Sequence, residues 1–364
     1  MVGGAVRDLA LGEECKDLDV ATPLLPEVVT ALLEKARIKV VPTGIDHGTV
    51  TAVSSGTVVE VTTLRADVST DGRRATVAFT DDWQADAARR DFTINALYAD
   101  PLTGEVFDYF GGIDDLHARR VRFIGDAATR IAEDHLRILR FFRFHARFAP
   151  DKAPDPQGLE ACRKRANDLM ALSRERIADE LLKLLALPDP SRTIELMAAN
   201  GIFLPVIPEA DDQGAARIGA LALGEQAAGI APDSVRRLAA LLPPDPAVAE
   251  RIGARLKLSN KAKKRLVSAA HRLTPDDDPR TLAYDLGNEG ALDRLLLAGR
   301  YDEAAAIHDW PVPRLPISGG KLIGRGVTEG PEVARTLKRI EREWIRAGFP
   351  TGDAFEAIVQ AALA

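Results

Sequence analysis

The hydrophobic pattern of this chain changes period near residue 125, and that change limits it to an α/β or α+β head followed by a mostly helical remainder. Up to about residue 124, short β-rich runs at 39–43, 49–54, 58–64, 92–99 and 121–124 are broken by Gly and Thr, with helical stretches at 26–37 and 83–90. From Asp126 onward, apolar residues recur at helical spacing through 131–148, 158–171, 173–187 and 191–200. Prolines at 188–190, 205–208, 243–244 and 311–316 interrupt that pattern, so the helices are short and bundled. The expected division is a head over 1–124, a neck over 125–200, and a body and tail over 201–364. With 364 residues, 46% of them hydrophobic, the chain is too long for one ordinary core.

No apolar run approaches the roughly 18 residues a membrane helix needs. The first twenty residues carry Arg7, Asp8, Glu13, Glu14, Lys16, Asp17 and Asp19, which is not the apolar core of a secretory signal. Cys15 and Cys162 lie far apart in dissimilar contexts, so the expected location is a reducing cytoplasm with no disulfide framework. The formal net charge of −6 does not announce a polyanion partner. Its distribution leaves a local basic stripe that needs an explanation: between Arg119 and Arg147 there are eight arginines against Asp126, Glu133 and Asp134.

Near the start, Gly3-Gly4-Ala5-Val6-Arg7-Asp8 reads as a tight turn entering a helix. Two glycines let backbone approach a ligand closely, and a helix start offers N–H groups to phosphate oxygens. A merely structural turn has the same look. Such a turn normally follows a strand, yet only Met1 and Val2 precede it; either the start site was chosen late or the first strand is missing. Further on, Lys16-Asp17-Leu18-Asp19-Val20 reads as a short strand whose period of two sets both carboxylates on one face. Like charges that close are stable together mainly around a divalent cation, and hard oxygen ligands favour Mg²⁺. A solvated strand edge is the alternative.

On a continuous helix over 131–148, Glu133, Arg137 and Arg140 stand nearly in line, with Asp134 and Arg143 flanking them. Phe141, Phe144 and Phe148 intrude on the same half. Arginines among phenylalanines lose hydration, so carboxylates or a bound anion must compensate. Either an internal salt-bridge helix or a nucleotide-reading helix meets that demand.

Gly-Gly-Ala-Val-Arg-Asp, Lys-Asp-Leu-Asp, Arg89-Arg90-Asp91-Phe92-Thr93-Ile94-Asn95-Ala96 and Glu133-Asp134-His135-Leu136-Arg137-Ile138-Leu139-Arg140 form an ordered set of four motifs. The set resembles the class II CCA-adding enzymes and bacterial poly(A) polymerases. The resemblance implies a polymerase-β-like head with helical neck, body and tail. It implies that Asp17 and Asp19 hold Mg²⁺, and that Gly3, Gly4 and Arg7 hold the triphosphate. Such heads often use a third carboxylate from a neighbouring strand, and Glu60 is the candidate, with an ordinary exposed glutamate as the other reading. Asp134 and Arg137 would act as an amino-acid template. Cytosine and adenine each pair an exocyclic amino donor with a ring-nitrogen acceptor, which one carboxylate and one guanidinium can match; uracil and guanine reverse that pattern. Arg140 and Arg143 would be further nucleotide contacts, and Arg90 with Asp91 belongs to another nucleotide-contacting motif. Arg89 reads as a structural ion-pair partner.

The polar stretch 67–82, with Asp71-Gly72-Arg73-Arg74, resembles the mobile loop that terminal A addition needs, and a plain surface loop looks similar. Implied partners are tRNA, CTP and ATP, with neither membrane nor protein partner evident. Arg163, Lys164, Arg165, Arg174 and Arg176, then Lys257, Lys261, Lys263, Lys264 and Arg265, are candidates for phosphate contact or for solvated helix faces, and the helix near 332–347 for tail contact with tRNA. Poly(A) polymerase is the rival within the family, although residues 41–49 lack its Arg-rich phrase. An inactive RNA-binding protein and a small-molecule nucleotidyltransferase are the readings from other classes. His271 and His308 stand alone, so no appended phosphohydrolase is expected.

Overall fold

The computed structural model describes residues 1–15, 18–45, 48–70, 75–210, 213–271, 273–328 and 330–364, and at 42–43, 67–70 and 75–77 the backbone alone. The head opens with α1 (Gly4–Ala10), β1 (Leu18–Thr22) and α2 (Pro26–Lys35), followed by β2 (Lys39–Gly44), β3 (Thr49–Ser54) and β4 (Thr57–Thr63). The strands form one sheet in the order β1-β4-β3-β2, with β1 and β4 parallel and the other pairs antiparallel. Ser55 and Gly56 join β3 to β4, both with positive φ (49° and 83°), as a two-residue hairpin turn requires.

Alternation gives this sheet two unlike faces. Val20 and Val61 border a cavity together with Val29, Leu32 and Leu33 of α2, so that side is apolar. The opposite parity carries Asp19, Thr51 and Glu60, which stand on neighbouring strands at matching register.

Met1 and Val2 stand where a strand was expected before the glycine turn. Val2 donates its N–H to Asp19 O (3.0 Å) and bridges Tyr98, while Ala99 N–H donates to Met1 O at 3.0 Å. Met1 and Val2 thereby tie β1 to β7 (Leu97–Ala99), after the intervening hairpin β5 (Arg65–Thr70) and β6 (Ala75–Phe79) and helix α3 (Trp83–Ala88). The hairpin is a departure from the expected loop, since 67–70 and 75–79 are paired strand; Asp71 to Arg74 lie outside the described residues. The run 92–99 is also shorter as strand than expected: Thr93–Asn95 is a 3-10 turn, and Phe92 meets Phe123 only as an isolated bridge. β8 (Val106–Asp108) and α4 (Gly112–His117) complete the head.

The neck comprises α5 (Ala127–Glu133), α6 (Arg137–Phe148), α7 (Pro156–Lys164), α8 (Arg174–Leu185) and α9 (Ser191–Ala199); α5, α7 and α8 are N-capped by Asp126, Asp155 and Ser173. The continuous helix expected over 131–148 is broken at Asp134, whose φ of −151° and ψ of 107° are extended. Its side chain accepts the Leu136 N–H at 3.1 Å, a local bond that competes with the helical ladder. Likewise the helix expected over 158–171 ends at Lys164, and Ala166–Ala171 is a 3-10 turn. Beyond the neck follow α10 (Gly214–Ala227), α11 (Ser234–Leu241) and further helices as far as Leu363. One core joins Phe92 and Ile94 of the head to Phe141 and Phe144 of the neck and continues into the body, whereas the tail buries Ile340, Trp344 and Phe355 in a cluster of its own.

Candidate active site

Three of the four motifs touch one another, and Asp19 of the remaining one is joined to them through the neighbouring Val2 N–H. Gly3 donates its N–H to Leu97 O at 2.8 Å and has φ of 65°. A Cβ there would stand 2.8 Å from Arg90 Nη1, so any side chain would strain the turn and displace Arg90. Arg90 is held by the Tyr98 hydroxyl (3.3 Å) and Asp86 (3.4 Å). Asp86, almost wholly buried, also accepts from Arg89 (2.8 Å), the Tyr98 hydroxyl (2.6 Å) and the Arg65 N–H (3.0 Å), so Arg89 is indeed an internal ion-pair partner.

Arg7 does not reach into open space. It is buried, donating to Asn95 Oδ1 and Asp8 (2.8 Å), with its guanidinium 4.6 Å from the Phe148 ring centre. Asn95 in turn donates to Asp91 at 3.0 Å, and Asp91 accepts Arg140 Nε at 2.7 Å. Burial by itself would raise the Asp91 pKa; the Arg140 charge and the bonds from Asn95 and the Phe92 N–H outweigh it and hold the carboxyl below its ordinary value. A lowered native pKa stabilises the fold above the unfolded value of about 3.9 and is lost as pH falls through the native value. Asp91→Asn is therefore expected to be less stable at neutral pH and to lose less stability on acidification; equal slopes for both proteins in acid denaturation below pH 5 would contradict this role.

Asp19 and Glu60 are register partners on adjacent parallel strands and both are exposed on the polar face of the sheet. Their neighbouring carboxylates are the donor chemistry a hard divalent cation takes, so the described part of the site fits Mg²⁺. Asp17 lies outside the described residues. Among the described residues no three metal-ligating side chains cluster, and Asp19 with Glu60 makes two.

The arginine-rich stretch is largely neutralised from elsewhere in the chain. Arg120 and Arg122 pair with Asp115, Arg140 with Asp91 and Glu180, Arg143 with Glu180, and Arg147 with Asp8 and Glu13. Arg130 and Arg137 share Glu133. Arg137 Nη1 donates to Glu133 (2.5 Å) and Arg130 O (2.9 Å), and its Nη2 to Arg89 O (2.9 Å). Among the described residues these are three bonds from five N–H donors, which leaves two for a ligand. Asp134 is not bonded to the Arg137 side chain; its Oδ2 accepts from Arg176 Nη2 at 2.7 Å. The sequence reading missed Asp86, Asn95 and Glu180 as organisers of this site. Glu180 had a visible signal, a carboxylate in helical register with buried Ile177, Leu181 and Leu184. Among the proposed RNA contacts, Arg265 is tied to Asp233, Asp293 and Glu289 and is an internal brace.

Residues 1–122 match the Poly A polymerase head domain family, and residues 153–213 match the family described as the probable RNA and SrmB-binding site of polymerase A. A zebrafish (Danio rerio) protein named CCA tRNA nucleotidyltransferase 1, mitochondrial, is 35% identical over 369 residues, spanning 96% of this chain and 84% of that protein. The chain belongs to the class II CCA-adding enzyme and poly(A) polymerase head family. The Bacillus stearothermophilus CCA-adding enzyme, solved in complex with CTP, superposes with a TM-score of 0.77 at 28% identity, covering 99% of this chain and 92% of that one. The Thermotoga maritima CCA-adding enzyme, solved with tRNA, shares the fold with a TM-score of 0.71 at 20% identity, over 100% of this chain and 90% of that one. No helix among the described residues is long and apolar enough to cross a membrane.

Proposed function

We infer that this protein is a CCA tRNA nucleotidyltransferase, adding CMP and AMP from CTP and ATP to the 3′ end of tRNA with release of pyrophosphate. The observation that carries this reading is a relative of that name aligned over 96% of the chain, together with three of the four motifs packed on one another through Arg7–Asn95 and Asp91–Arg140. Asp17 and Asp19, with Glu60 alongside, would hold Mg²⁺, which when bound makes the RNA 3′ hydroxyl more acidic and neutralises charge on the triphosphate. Gly3 and Gly4 let Arg90 and Arg7 close on the turn that would receive the phosphates, and Asp91, Arg140 and Arg143 would line the approach. Arg7, braced by Asn95 and Phe148, holds the turn that receives them. Asp134 accepts the exocyclic amino group of cytosine or adenine, and the remaining donors of Arg137 meet the ring nitrogen. The helical body and tail grip the tRNA through phosphates and shape. A cytoplasmic location belongs to this reading too and rests on the two separated thiols; the mitochondrial name of the zebrafish relative points to an organelle instead.

The test is incubation with Mg²⁺ and tRNAs ending before, within and after CCA, with CTP and ATP supplied separately. Products that stop after CCA are expected. A long A tail on unrelated RNA would make the protein a poly(A) polymerase, and absence of incorporation would make it an RNA-binding protein. Asp134→Ala is expected to lower the preference for CTP over UTP about tenfold or more, the worth of one lost base-specific hydrogen-bond pair, with a smaller change in triphosphate affinity. An unchanged preference in competition assays would remove Asp134 from the template.

A further inference from the structure

Asp134 sits where no helix fixes its side chain: α5 has ended, α6 has not begun, and its backbone is extended. The aim of such a carboxylate is decided by what grips it. One oxygen, Oδ1, accepts the Leu136 N–H at 3.1 Å; the other, Oδ2, accepts Arg176 Nη2 at 2.7 Å. A carboxylate offers about four lone-pair sites, so these two bonds orient the group and leave acceptor capacity for an incoming amino group. Arg137 does not supply the grip: its Nη1 and Nη2 donate to Glu133 and to the carbonyls of Arg130 and Arg89, and its side chain makes no bond to Asp134.

Arg176 arrives from α8, and four residues on, along the same face, stands Glu180. Glu180 is buried and accepts from Arg143 Nε (2.5 Å) and Arg140 Nη1 (3.4 Å). One face of α8 thus sets a cation against the carboxylate of the reading pair and an anion against the arginines beside it. We propose that Arg176 is the positioning residue for base choice: it aims Asp134 so that the acceptor meets the amino group of cytosine or adenine. The proposal rests on the reading of Asp134 as a base-reading group. Arg176 acts through Asp134 and touches no reacting atom. A guanidinium suits this task because its planar fork fixes the direction of the bond, whereas a lysine ammonium is a point charge that leaves the carboxylate free to turn.

The test compares Arg176→Met, Arg176→Lys, Asp134→Ala and the Asp134→Ala/Arg176→Met double variant, measuring kcat/KM for CTP and UTP on tRNA lacking CCA, with Mg²⁺ present. Arg176→Met is expected to lower the CTP to UTP ratio about tenfold, with the KM for tRNA unchanged. The double variant is expected to be no less selective than Asp134→Ala alone, since the residue through which Arg176 works is already gone. Arg176→Lys should fall between parent and Met, and it carries the test if the Met variant does not fold. A uniform fall in rate for both nucleotides, with the ratio intact, would make Arg176 a structural brace and overturn the proposal. A lost ratio in Asp134→Ala with a normal ratio in both Arg176 variants overturns the positioning role alone. A normal ratio in Asp134→Ala overturns both it and the template reading.

Discussion

Asp19→Asn is expected to lower CMP incorporation on the order of 10³-fold, the effect of withdrawing several kcal/mol of charge stabilisation from the transition state, while tRNA binding is unchanged. The substitution keeps the size and shape of the side chain and removes only its charge. Nothing in the strand pairing depends on that charge, because β1 is held by its parallel partner β4 and by the Val2 N–H on the Asp19 carbonyl. Asp19 and Glu60 face one another as like charges at matching register, so the melting temperature is expected to change far less than the activity. Activity and stability are therefore expected to part company, as they do where a site is built for function at a cost to the fold. Glu60→Gln should give the same pattern with a smaller loss. Single-turnover extension of tRNA lacking CCA, with binding measured in parallel, decides the matter: a loss of less than tenfold for Asp19→Asn would remove it from the catalytic group.

What could be read from the sequence were features whose physics is local. The bounds of β3 at 49–54 and the place of Glu60 follow from residue alternation within one short run. The arginine-rich stretch was legible as an oddity but not as what it is. Apart from Glu133, its counter-charges come from Asp8, Glu13, Asp91, Asp115 and Glu180, and of these five only Asp115 lies within ten residues of an arginine it serves. An acidic protein thereby houses a dense arginine cluster without a strongly basic surface there. The break at Asp134 was hidden because Ile131, Leu136 and Ile138 keep an apolar period across it, and a helix ends there only because a side-chain bond to Leu136 competes. The hairpin of β5 and β6 was hidden by its Thr, Gly and Asp content, which reads as loop until a partner strand is known. Met1 and Val2 could not be assigned as a bridge between β1 and β7, since that pairing spans almost a hundred residues.

Arg237→Ala is expected to destabilise the protein by about 3–5 kcal/mol, the usual penalty for breaking a buried charge network from one side. Arg237 is fully buried on α11, and its donors are all engaged: Nε and Nη2 with Glu225 of α10 (3.0 and 2.8 Å), Nη1 with the carbonyls of Leu185 (2.9 Å) and Leu187, and Nη2 with the carbonyl of Pro188 (2.7 Å). Those carbonyls are the end of α8 and the turn after it, groups that a helix terminus leaves without partners. Truncation would orphan the buried Leu185 carbonyl and release those of Leu187 and Pro188, while Glu225 would keep only Arg236 (2.6 Å). Arg237→Lys keeps the charge but has three donors and no fork, so it should recover only part of the loss. The consequence reaches beyond stability, because Glu180 lies five residues before Leu185, about 7.5 Å along the same helix. A loosened α8 terminus would shift the carboxylate that holds Arg140 and Arg143. Denaturant unfolding should therefore show a lower midpoint for Arg237→Ala than for Arg237→Lys, with Arg192→Ala, an exposed pair with Asp151, as the unchanged control. A midpoint for Arg237→Ala equal to that of the control would mean that the end of α8 is held by something other than this arginine.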